Sequence, residues 1–165
     1  HARQCFGLAR ALGAEVGPGP LDVAGSLDHA GDRAAILRGL ILEGCIGETT
    51  AVARAEAQLA GAVDPRVRAV LERIRADELR HARLAWRAAK WMVQQWPELQ
   101  AEARQVFRQA APPSPSGSAS ADRAALATVG VLDRRGVQEV ALAAWRGVVA
   151  PAAAVLCGEG STARA

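Results

Sequence analysis

The sequence predicts an all-α protein, on three observations. Half of its 165 residues are apolar, mostly Ala, Leu and Val, with few aromatics and no Tyr, a composition that favours helices over strands. Apolar residues recur at spacings of three and four through two long stretches, the period of one helix face. No segment alternates apolar and polar residues as a half-buried strand would. A chain of this length makes one domain with a real core.

Residues 1–12 read as the end of a helix, and 13–31, with its GPGP, as an irregular connection. From Asp32 to about Gly61 the pattern is helical, with Leu37, Ile41, Cys45, Glu48, Val52, Ala55 and Leu59 along one face. Gly61-Ala62-Val63-Asp64-Pro65 interrupts it. Asp64 suits the N-cap and Pro65 the first position of a second helix. That helix carries Val67, Leu71, Ile74, Glu78, His81, Ala85 and Met92 on one stripe and runs to about Trp96-Pro97. A shorter helix is expected from Glu98 to about Ala110. AAPPSPSGSASAD, Ala110 to Asp122, reads as a flexible tether. Beyond it a last helix spans roughly Arg134 to Val149, with Pro151 placed to end it.

Composition excludes several classes of function. The net charge is +3, but the Arg residues are scattered among Glu and Asp and form no phosphate-tracking stripe, so nucleic acid is not an expected partner. No apolar run reaches the roughly eighteen to twenty residues of a membrane span. Cys5, Cys45 and Cys157 are far apart, with no C-x-x-C pair, and are expected to be buried free thiols. The first residue is His rather than Met, so the compartment is not readable, with the cytoplasm as default.

The anomaly lies on the apolar stripes. Glu48 occupies a core position of one helix, and Glu78 and His81 occupy core positions of the next. Carboxylates are almost never buried without a partner, because desolvation costs several kcal/mol. A short turn makes the two helices antiparallel neighbours. Glu48 lies fifteen residues before Val63 and Glu78 fifteen after it, so at about 1.5 Å per residue the carboxylates face each other at one height, with Cys45 opposite His81. Two carboxylates there would repel unless one is protonated or a cation lies between them. Adding an imidazole gives a donor mix that suits iron or manganese, accepts zinc, and is wrong for calcium. Gly44 and Gly47 leave room for a metal or dioxygen, or else allow close helix packing. Glu43, five residues before Glu48 and about 500° around the helix, is expected at the rim or surface and not as a ligand. The alternative is a metal-free cluster in which Glu48 and Glu78 are partly protonated or paired with Arg80 or Arg83.

A repeat points the same way. HARQCFGLA at 1–9 lies on HARLAWRAA at 81–89, matching His1 to His81, Ala2 to Ala82, Arg3 to Arg83, Phe6 to Trp86 and Ala9 to Ala89. A two-metal site built by two-fold repetition would show such a duplicated helix.

Glu43-Gly44-Cys45-Ile46-Gly47-Glu48-Thr49 and Asp77-Glu78-Leu79-Arg80-His81-Ala82 resemble the E-G-C-x-G-E-T and D-E-x-x-H-A stretches of bacterial ferritin-like domain proteins, within the ferritin-like di-iron carboxylate superfamily. The resemblance covers most of residues 1–96 and, less specifically, GVQEVALAAWRGVVAPAAAVL near the end. It implies a four-helix bundle of which this chain holds the second-helix end, the third and fourth helices, and a C-terminal helical extension. Together with the pattern along the chain, it gives 1–96 as the C-terminal part of the bundle, 97–110 as a short helix, 111–122 as the linker and 123–165 as a helical tail. Glu48 then matches the lone Glu of the third bundle helix, Glu78 and His81 the motif of the fourth, and His1 the His of the second. Two iron ions, with manganese as an alternative, would be the cofactors of the intact site, and oxidoreductase-type chemistry with dioxygen or peroxide the activity. Two Glu and two His of the usual six ligands are here, and His1 falls in mid-motif, so a truncated chain is expected. Its uncovered helix faces are ones that a second copy could pair with in a homodimer.

Overall fold

The computed structural model describes residues 1–158 apart from Leu27, His29 and Pro113, and every regular element among the described residues is helical. α1 is Ala2–Ala11. α2 runs unbroken over 33–61, with an α-helical start Arg33–Gly39, a π-helical middle Leu40–Glu48 and an α-helical end Thr49–Gly61. α3 is Pro65–Gln95, α4 is Leu99–Gln109 and α5 is Arg123–Thr128. α6 is Arg134–Leu156, with a second π-helical stretch, Trp145–Val149, inside it.

The helix starts are set by local chemistry. The Asp32 carboxylate accepts from the backbone N–H of Ala34 and Ala35 at 2.9 and 3.1 Å, and Asp64 accepts from that of Arg66 at 2.8 Å, with Pro65 following. Each such cap contributes about 1 kcal/mol. The turn between α2 and α3 is only Ala62-Val63-Asp64, and Arg68 donates back to the carbonyls of Leu59 and Ala62 at 2.8 and 2.9 Å, satisfying the end of α2. The helices therefore form the antiparallel hairpin that the spacing predicts.

Gly44 decides how closely the hairpin's arms approach. A Cβ added there would stand 2.6 Å from the Ala85 Cβ, so the absent side chain serves close packing and not a ligand pocket. Gly44→Ala is expected to destabilise the protein by about 1–3 kcal/mol in chemical denaturation. Adding Ala85→Gly should recover part of the loss; an additive double mutant would show that the two do not meet.

Two apolar clusters result. The larger joins Leu37, Ile41 and Cys45 of α2, Ala85, Ala89 and Met92 of α3, Val106 and Phe107 of α4, and Val149 and Ala153 of α6. The smaller joins Ala62, Val67 and Leu71, with Leu8 of α1 and Leu59 packed against it. Packing thus continues past residue 96 into α4 and α6. The far end of the hairpin is fastened by Trp96, whose ring takes the Arg33 guanidinium at 4.5 Å and the edge of Trp91 at 5.3 Å.

The C-terminal half departs from the sequence-based expectations. α5 lies inside the stretch read as a helical tail, as a separate short helix before the last one. Along its described length the Pro/Ser-rich stretch makes hydrogen bonds to the segment that follows: Ser120 N–H donates to Asp133, Ser116 N–H to Gln138, and Arg135 to the Gly117 carbonyl. Pro151 does not end the last helix. It lies within continuous α6, directly after the π-helical stretch, whose altered hydrogen-bond ladder accommodates the missing N–H. Because of that continuity, α6 is the one helix among the described residues long and apolar enough to cross a membrane by length and composition, with a mean hydropathy of 1.5 over its best window. The expectation of no such segment is corrected to that extent; Ala144, Val149 and Ala153 of α6 are nonetheless buried in this chain. The last part of the expected tail, 159–165, lies outside the described residues.

Candidate metal centre

The π-helical stretch positions the first carboxylate. Its i→i−5 bonding holds more than four residues per turn, so the buried line of α2 steps by fours: Leu37, Ile41, Cys45, Thr49. Glu48 is thereby rotated off that line to its edge, with 31% of its side chain exposed. The sequence-based reading placed Glu48 on the core stripe because it assumed 3.6 residues per turn throughout. Glu43 is exposed.

α3 brings Glu78 and His81 to the same height. One ligand atom from each of Glu48, Glu78 and His81 lies within 4.8 Å of the others. His81 Nδ1 stands 3.0 Å from Glu78 Oε2 and 3.9 Å from Glu48 Oε1. The three fall between the two apolar clusters. Glu78 is the most enclosed, with 12% of its side chain exposed; His81, with 52%, is not a core residue. Its place on the stripe is corrected: the imidazole is half exposed, with the His1 ring 6.2 Å from it.

α1 delivers His1 to the same group. His1 Nδ1 lies 3.2 Å from Glu78 Oε1, and the His1 and His81 ring centroids are 6.2 Å apart. The two oxygens of Glu78 thus each face a different imidazole. His1 Nε2 lies 3.2 Å from Asp77 Oδ2, and Asp77 is also paired with Arg80. In the sequence Asp77 stands out only as part of its motif; its place directly before Glu78 turns it towards α1.

Burial pushes the Glu48 carboxyl up to about 7, reinforced by the hydrogen bond and charge of Glu78 and opposed by His81. That is the behaviour of two carboxylates forced together, one of which keeps its proton. Cys45 is fully buried, and burial raises its thiol to about 12, so it is a packing residue and no thiolate donor. Cys157 is buried too, whereas Cys5 is exposed, against expectation.

The donor set, two carboxylates and an imidazole from facing helices, fits one divalent transition-metal ion. His1 adds a second imidazole on the far oxygen of Glu78. Compared with models of protein families, with curated proteins and with solved structures, the chain finds no match in any of the three.

Proposed function

We propose that this chain is the metal-carrying part of a ferritin-like non-haem di-iron protein with oxidoreductase-type chemistry. The observation that carries the reading is the convergence of Glu48, Glu78 and His81 from the two arms of one hairpin, in the motifs on which the resemblance rests. Glu48, Glu78 and His81 would hold one ion, with His1 facing a second position across Glu78. Bound iron, or manganese, would supply redox chemistry toward dioxygen or peroxide, with iron oxidation and substrate oxidation both within its scope. The chain's own part is to bind and orient. The two glutamates neutralise cationic charge, Asp77 orients His1, and the hydrogen bond from Trp86 Nε1 to Thr49 Oγ1 at 3.2 Å fixes the arms beside Glu48.

A second reading, a metal-free helical interaction module, has its own support. Glu78, His81, His1 and Asp77 satisfy one another, and Glu48 holds a proton against Glu78, so the cluster is self-consistent without an ion. Anaerobic titration with ferrous iron separates the two readings. Saturable binding that Glu48→Gln abolishes and Glu43→Gln leaves unchanged supports the metal centre. Absence of binding, or equal loss in both variants, favours the metal-free module.

A further inference from the structure

The side of the hairpin turned towards α6 carries a second feature, independent of the metal reading. Val52, Ala53, Leu79, Ala82, Trp86 and Val148 line a cavity of about 240 Å³ between α2, α3 and α6. None of the candidate metal ligands is among its walls. Its buried polar groups are already used, because the Trp86 indole N–H donates to Thr49 Oγ1. Charge is confined to the rim, where Glu56 and Arg83 stand. Glu56 has a counter-ion in Arg75, 3.7 Å away. Arg83 has no carboxylate within 4 Å among the described residues.

We infer that this cavity binds an aliphatic monocarboxylate, its chain against Val52, Leu79, Trp86 and Val148 and its carboxylate on the Arg83 guanidinium. An apolar slot under an uncompensated cation complements a molecule with an apolar tail and an anionic head. It gives a neutral alcohol only the apolar part of that affinity and disfavours an amine. Scaled from a cavity of roughly 150 Å³ that holds one benzene ring, the volume takes a chain of roughly eight to ten carbons.

Octanoate, octanol and octylamine are titrated into the whole chain, with binding followed by calorimetry and by indole fluorescence. Octanoate is expected to bind saturably at one site, octanol more weakly, and octylamine most weakly. Arg83→Gln should weaken octanoate about fivefold and leave octanol unchanged, while Arg83→Lys keeps most of the affinity. Filling the cavity from either wall, by Ala53→Leu on α2 or by Val148→Trp at an exposed position of α6, should abolish octanoate binding in proteins whose circular dichroism and melting match wild type. The inference is overturned by absence of saturable octanoate binding, by octanol or octylamine binding as tightly as octanoate, by indifference to Arg83→Gln, or by binding that survives both cavity-filling variants. Loss of iron binding in a separate titration bears on the metal centre alone.

Discussion

Replacing Glu48 by Leu should leave the metal-free protein at least as stable as wild type and remove all stabilisation by added ferrous iron. The Glu48 carboxyl sits at about 7 in the folded chain against an ordinary value of 4.5, through burial and the neighbouring Glu78. Between those two values the folded state keeps a proton that the unfolded chain releases. Stability from this group therefore falls as pH rises through the window, and the full cost of the ionised pair is present above about 7. The advantage of Glu48→Leu should accordingly appear above pH 7 and vanish below 4.5. Asp64, Asp133 and Glu139 are held below their ordinary values by hydrogen bonds and neighbouring arginines, and they lose their contribution as pH falls. The readout is thus the difference between variant and wild type at each pH. With iron at a hundred times its dissociation constant, wild type should gain about 2.7 kcal/mol and the variant nothing. Strong destabilisation of the metal-free variant would instead make Glu48 a structural hydrogen-bonding residue and favour the interaction module.

Phe107→Ala should cost about 3–5 kcal/mol, the largest loss expected from a single side chain here. Phe107 is only 5% exposed, and its ring lies stacked on Trp86 with centroids 5.7 Å apart and planes 4° from parallel. Removing it opens a cavity between α4 and the hairpin and frees the indole that anchors Thr49. Urea denaturation followed by indole fluorescence and by far-ultraviolet circular dichroism checks this. Both probes should report one transition, shifted together. If the hairpin unfolds at an unchanged midpoint, α4 is not part of its cooperative unit.

By itself the sequence determined what depends on neighbours in the chain. Asp32 and Asp64 start their helices, the three residues from Ala62 to Asp64 reverse the chain, and a fixed rise per residue then sets Glu48 against Glu78. Cap chemistry and periodicity act over four or five residues, so they are legible without the fold. The tertiary structure alone decided the helical register and which faces are covered. The π-helical stretch turns Glu48 from the core line to its rim, and a second one carries α6 past Pro151. His81 stays half exposed, while the packing of α1 on α3 brings His1 and Asp77 together. Whether a hydrogen-bond ladder widens, and whether a side chain meets protein or water, is set by residues far apart in sequence. Gly44 against Ala85, Phe107 against Trp86 and His1 against Glu78 are such pairs, and no local pattern announces which of them will meet.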